Sequence, residues 1–212
     1  MINTTRLRCT LGWLAMFLPW IVAILLWIIP SSISATYYRF ESGPVFMIIL
    51  GAASFLLIAY KGYDTQDDII NTLAGVFGLM ICLFPCQIEY GDSLFTKDFI
   101  NSLGGIVGTF SIPMNISLIV HNASAVIFFG LLSYNSLFLF TKHGSEMTKN
   151  KKIRNIIFRV CGIGMILSFT IFLLPYFYIQ TWLIETIALF FFGVSWLTKA
   201  DYYPWLFADK KN

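Results

Sequence analysis

Apolar residues in this chain come in six long runs separated by short polar breaks. The runs cover about 11–30, 45–60, 69–86, 116–140, 155–175 and 181–198. Each approaches the roughly 20 residues that carry an α-helix across a bilayer. The breaks are a polar link, SSISATYYRFESG, bounded by Pro30 and Pro44; KGYDTQDD at 61–68; a long connection over about 87–113; a basic loop, KHGSEMTKNKKIRN; and Tyr176–Gln180. The pattern predicts an all-α polytopic membrane protein, with six transmembrane helices in one bundle and a single transmembrane domain over 1–212. Within the long connection, Phe95, Phe99, Leu103 and Ile106 recur at helical spacing, which predicts an amphipathic helix on the membrane surface that bends at Gly104-Gly105.

Composition supports this class. The 212 residues are 58% hydrophobic and 12% charged, against about 25% charged in soluble domains. Arg6 and Arg8 precede the first run, as in a signal peptide. That run is longer than the roughly 7–15 residues of a signal core and lacks a clean cleavage site, so it reads as a retained helix. The net charge of +3 matters less than its placement. Of the 14 Lys and Arg, only Arg39 and Lys97 fall in one set of loops, and the other twelve fall in the opposite set. By the positive-inside rule both termini are cytoplasmic, which requires an even number of spans in an inner or plasma membrane. Aromatics such as Tyr60 and Trp196 on one side, and Tyr37 and Trp182 on the other, are expected at the two interfaces.

Ionisable groups inside the runs carry the candidate chemistry. His121 and Glu185 are expected at matching depth, about one turn below the outer boundary, on helices running the same way. Intramembrane ionisable residues are costly and mark sites by default. The pair therefore reads either as a proton-transfer couple, His121 as general base oriented by Glu185, or as a hydrogen bond fixing helix packing. Ser117, His121 and Ser124 share one helix face, a polar wall or a small-residue packing face. With Ser34, Tyr37 and Asn122 they outline an outward-facing pocket for a lipid headgroup or small amphipathic ligand. The alternatives are a lipid-acting enzyme, a proton-coupled carrier using the same pair, and a purely structural role.

Other features have plainer readings. Asn71, Gly75, Gly78, Cys82 and Cys86 line one face of the third run as a packing seam. The four cysteines form no CxxC pair or Cys/His cluster, so no disulfide framework, metal site or cofactor is expected. Thr65-x-x-Asp68 predicts a capping box opening the third helix. The basic stretch Lys142–Arg159 is expected to contact anionic headgroups, with membrane lipids and not nucleic acid as the partner.

The segments SISATYY, YKGYDTQDD, NTLAGVFGLMICLFP and HNASAVIFF resemble a bacterial family of small integral membrane proteins. The chain is also loosely similar to the DRAM-like six-span proteins. The resemblance implies a six-helix fold and brings no reaction with it.

Overall fold

The computed structural model of the chain describes residues 4–88, 97–107, 110–142, 148–172 and 181–202. Its long helices are α1 (Thr4–Leu26), α2 (Gly43–Ala59), α3 (Thr65–Leu83), α5 (Met114–Tyr134), α6 (Lys149–Phe172) and α7 (Thr181–Lys199), with a short α4 (Lys97–Ser102) in the long connection. Among the described residues, five helices are long and apolar enough to cross a membrane: α1, α3, α5 with its continuation to Leu139, α6 and α7. The multi-pass helical class follows from these.

The helices close into a ring in chain order. α1 packs between α2 and α7, α3 between α2 and α5, and α6 between α5 and α7. Contacts at the helix ends fix their directions. Arg8, early in α1, bonds Tyr60 just past α2 (3.1 Å) and the carbonyl of Lys199 at the end of α7 (3.3 Å). Lys142, beyond α5, bonds Asp64 and Asp67 at the start of α3, both at 2.8 Å. Arg154, near the start of α6, pairs with Asp201 just past α7. One end of the bundle, hereafter the basic end, thus gathers the starts of α1, α3 and α6 and the finishes of α2, α5 and α7. Since α1 and α3 both run away from it, the chain must return between them, and α2 is that return. Its 17 residues span about 25 Å.

The molecule is apolar outside as well as in. Ile24, Ile48, Phe55 and Ile119 point outward, while Leu11, Leu57, Leu132, Met165 and Trp196 are enclosed. Lipid tails are as apolar as leucine, so close packing and interhelical hydrogen bonds must hold such helices together. Gly75 supplies the first: a side chain there would strike the Ser54 carbonyl, so α2 and α3 approach backbone to backbone. Gly12 and Gly193 do the same between α1 and α7. Buried amides supply the second. Asn135 donates to Asn71 Oδ1 (2.6 Å), and Asn71 donates to the Asp67 carbonyl (2.7 Å). A π-helical turn, Asn135–Leu139, follows α5. Its extra residue per turn sends Asn135 toward α3, while the adjacent Ser136 meets Ser195 of α7 (2.7 Å) and the Phe158 carbonyl of α6 (2.9 Å).

Several expectations need correction. α1 ends at Leu26 rather than Pro30, where Trp27 adopts φ 57°. α3 opens earlier than expected, and its cap is Asp64, not Thr65: the Asp64 carboxylate accepts from the Asp67 N–H at 3.0 Å. The expected amphipathic helix is interrupted. α4 stops at Ser102, Gly104 and Gly105 take φ of 57° and 74°, and a two-residue antiparallel ladder pairs Ile106–Val107 with Ile112–Pro113. Phe95 lies outside the described residues. Tyr60, Trp182 and Trp196 are interior rather than interfacial. Tyr60 and Phe140 both stack edge-on against Trp196, at 5.0 and 5.1 Å, and form an aromatic layer across the basic end.

Candidate functional site

At the end opposite the basic one, the link between α1 and α2 is laid over the mouth of the ring. Left-handed Trp27 turns the chain out of α1, and Pro30 bars a return to helix in the residue before it. The link then forms a 3₁₀ turn, Ser34–Tyr38. Thr36 closes it locally, its hydroxyl donating to the Ile33 carbonyl at 2.6 Å. Tyr38 anchors it to the end of α3 by donating to the Cys86 carbonyl at 2.7 Å.

Glu185, one turn into α7, holds the same link. Its carboxylate accepts from the Ile33 N–H (2.6 Å), from the Ser32 hydroxyl (3.1 Å to each oxygen) and from the Ser34 hydroxyl (3.2 Å). A 3₁₀ turn leaves its first N–H groups without internal partners, and a carboxylate at that terminus satisfies them with favourable charge. The backbone N–H of Trp182 bonds the Ser31 carbonyl at 2.9 Å, which stitches α7 to the link a second time. One turn from Glu185 on the same face, Trp182 is buried edge-on against Trp20, 5.6 Å away, and its indole N–H has no acceptor among the described residues.

His121 serves another segment. α3 ends before Pro85, and helix termini leave carbonyls without intrahelical partners. His121 Nδ1 lies 2.8 Å from the Phe84 carbonyl, so this nitrogen carries the proton. Ser117, one turn earlier, donates to the Pro85 carbonyl at 2.7 Å. Two side chains on one face of α5 therefore cap the end of α3.

His121 and Glu185, expected to approach each other directly or through water, form no direct hydrogen bond or ion pair with each other. α5 and α7 barely touch because the ring separates them, and each group is occupied by the chain end that needs it. Ser34 does join Glu185, as above. Ser124 is buried on the His121 face, whereas Asn122 points outward and lies off that wall. Tyr37 meets the Tyr38 ring edge-on at 5.2 Å. Burial pushes the Tyr38 phenol well above its usual pKa range, so it stays a neutral donor. Among the described residues no three His, Cys, Asp or Glu side chains gather to hold a metal ion.

Ser32 and Trp182 were not singled out as site residues from sequence, although a lone carboxylate in an apolar helix beside a serine-rich link was the available signal. No family model, curated protein or solved structure matches the chain.

Proposed function

We propose that the protein is a six-span integral membrane protein with both ends on the cytoplasmic side, and that its outward end binds a lipid headgroup at Glu185 and Trp182. The returning α2 supports the sixth span. The gathering of Arg8, Lys61, Lys142, Lys151 and Lys199 at one end, against Arg39 at the other, supports the orientation. The carrying observation is the buried Trp182 N–H without an acceptor among the described residues. A buried donor left unpaired costs about 1–3 kcal/mol, so a ligand oxygen there is favoured. Beside it, the Glu185 carboxylate, which already accepts from Ser32, Ile33 and Ser34, adds a negative charge that attracts a cationic group. A phosphoethanolamine headgroup carries both an acceptor oxygen and an ammonium.

The test is native mass spectrometry of the protein released from micelles containing phosphatidylethanolamine or phosphatidylcholine. Retention of the first over the second is expected, with loss in both Trp182→Phe and Glu185→Gln. Equal retention of the two lipids, or unchanged retention in both variants, overturns the proposal.

A further inference from the structure

Among the described residues, the basic end holds more positive charge than its carboxylates engage. Lys61 pairs with Asp68, Lys142 with Asp64 and Asp67, and Arg154 with Asp201. Arg8, Lys151 and Lys199 form no ion pair among the described residues, yet they converge. Arg8 donates to the Lys199 carbonyl at 3.3 Å. The Lys199 ammonium sits 4.8 Å from the Phe140 ring centre and 4.5 Å from that of Tyr63. Lys151 donates to the carbonyl of the same Phe140 at 3.0 Å. Lys199 feels both other cations directly, and the carboxylates in electrostatic reach, Asp67 and Asp201, are held by Lys142 and Arg154.

Two further details bear on this convergence of charge. Lys199 is only 8% exposed and donates no hydrogen bond among the described residues. Arg8 Nε is buried without an acceptor among the described residues. Ring faces attract a cation but do not neutralise its charge. Three like charges around one spot are mutually unfavourable until an anion joins them.

We propose that Arg8, Lys151 and Lys199 form a binding site for a phosphoryl group at the basic end of the bundle, resting on the aromatic layer of Tyr63 and Phe140. The Arg8 fork matches a phosphate's paired oxygens, while the two ammonium groups act as adjustable point charges. The site lies at the opposite end from Glu185, uses none of its residues, and stands independently of the headgroup proposal above.

The full chain in neutral maltoside micelles is titrated with phosphatidylglycerol, phosphatidylcholine or inorganic phosphate, with binding read by native mass spectrometry and by the shift in Tm. Phosphatidylglycerol is expected to bind in preference to phosphatidylcholine, which carries the same phosphodiester but adds a fixed choline cation that the three positive side chains would repel. Lys199→Met and Lys151→Gln are each expected to weaken it about tenfold, the loss of one charged hydrogen bond. Lys152→Gln, at an exposed position on the same helix, is expected to change it little. Displacement of the lipid by inorganic phosphate would support recognition of the phosphoryl group alone. Retention against phosphate, with the same dependence on Lys151 and Lys199, would support the lipid as the source. Lys151 is partly exposed, so its variant reports on binding even where Lys199→Met disturbs folding. Unchanged binding in Lys151→Gln, or equal binding of phosphatidylcholine, overturns the proposal.

Discussion

Replacing His121 by leucine separates a capping role from a chemical one. The leucine fills much of the imidazole's volume, so the main loss is the donor at 2.8 Å from the Phe84 carbonyl. An orphaned buried acceptor costs about 1–3 kcal/mol. For a chain of this size, Tm falls roughly 2–4 °C per kcal/mol, so a drop of about 2–12 °C is expected. Glutamine, whose amide also donates, should recover most of it. Thermal unfolding in micelles, followed by circular dichroism, measures all three proteins. Adding Ser117→Ala to His121→Leu should give a non-additive loss, because both side chains cap the same helix end. Combining His121→Leu with Glu185→Gln should be additive within about 0.5 kcal/mol, because the two groups share no partner. An unaltered Tm in His121→Leu, a glutamine variant as unstable as leucine, or strong coupling between His121 and Glu185 would refute the capping account.

Three more outcomes are expected. Gly75→Ala should destabilise by about 1–3 kcal/mol through overpacking against Ser54, whereas Gly51→Ala, with open space around it, should stabilise slightly; thermal melts that reverse this order would refute the seam. Hydrogen bonding to Lys142 holds the Asp64 carboxyl below its usual 3.8, and hydrogen bonding to Asp64 and then Asp67 holds Lys142 above its usual 10.5. Their link should therefore be intact between those ranges, weakening as pH falls through the lowered Asp64 value and as it rises through the raised Lys142 value; Lys142→Met should flatten both limbs of the pH–Tm profile. With Cys9, Cys82, Cys86 and Cys161 replaced, cysteines at the exposed positions Phe40 and Tyr63 should react with an impermeant maleimide from opposite faces of the membrane, and labelling from one face would exclude the six-span arrangement.

The helical class and the glycine seam were legible because each follows from hydropathy or residue size along one segment. The partners of His121 and Glu185 were not. Depth and direction suggested a pair, but partner choice depends on which helices are neighbours in the ring. It depends also on which backbone groups Pro85 and the 3₁₀ turn leave unsatisfied. Trp196 misled for a related reason: an indole near a boundary suits the interface or an aromatic interior equally. Lys199 read as an ordinary flanking charge, since nothing in its local sequence announces the rings of Tyr63 and Phe140 beneath it.

Closing the ring in chain order sets a timetable for assembly. Arg8 and Lys199 touch across 191 residues, and the Gly12 seam waits for Gly193. At about 5–20 residues per second, the first helix is made roughly 10–40 s before its partner exists. Throughout that interval α1 has α2 on one flank and an unfilled groove on the other. Lipid, an insertion factor or a neighbouring nascent chain can occupy it. The last helix must displace that occupant to finish the fold, so truncation before α7 removes more than one span: it leaves every copy with an open seam and an Arg8 that keeps Tyr60 but loses the Lys199 carbonyl.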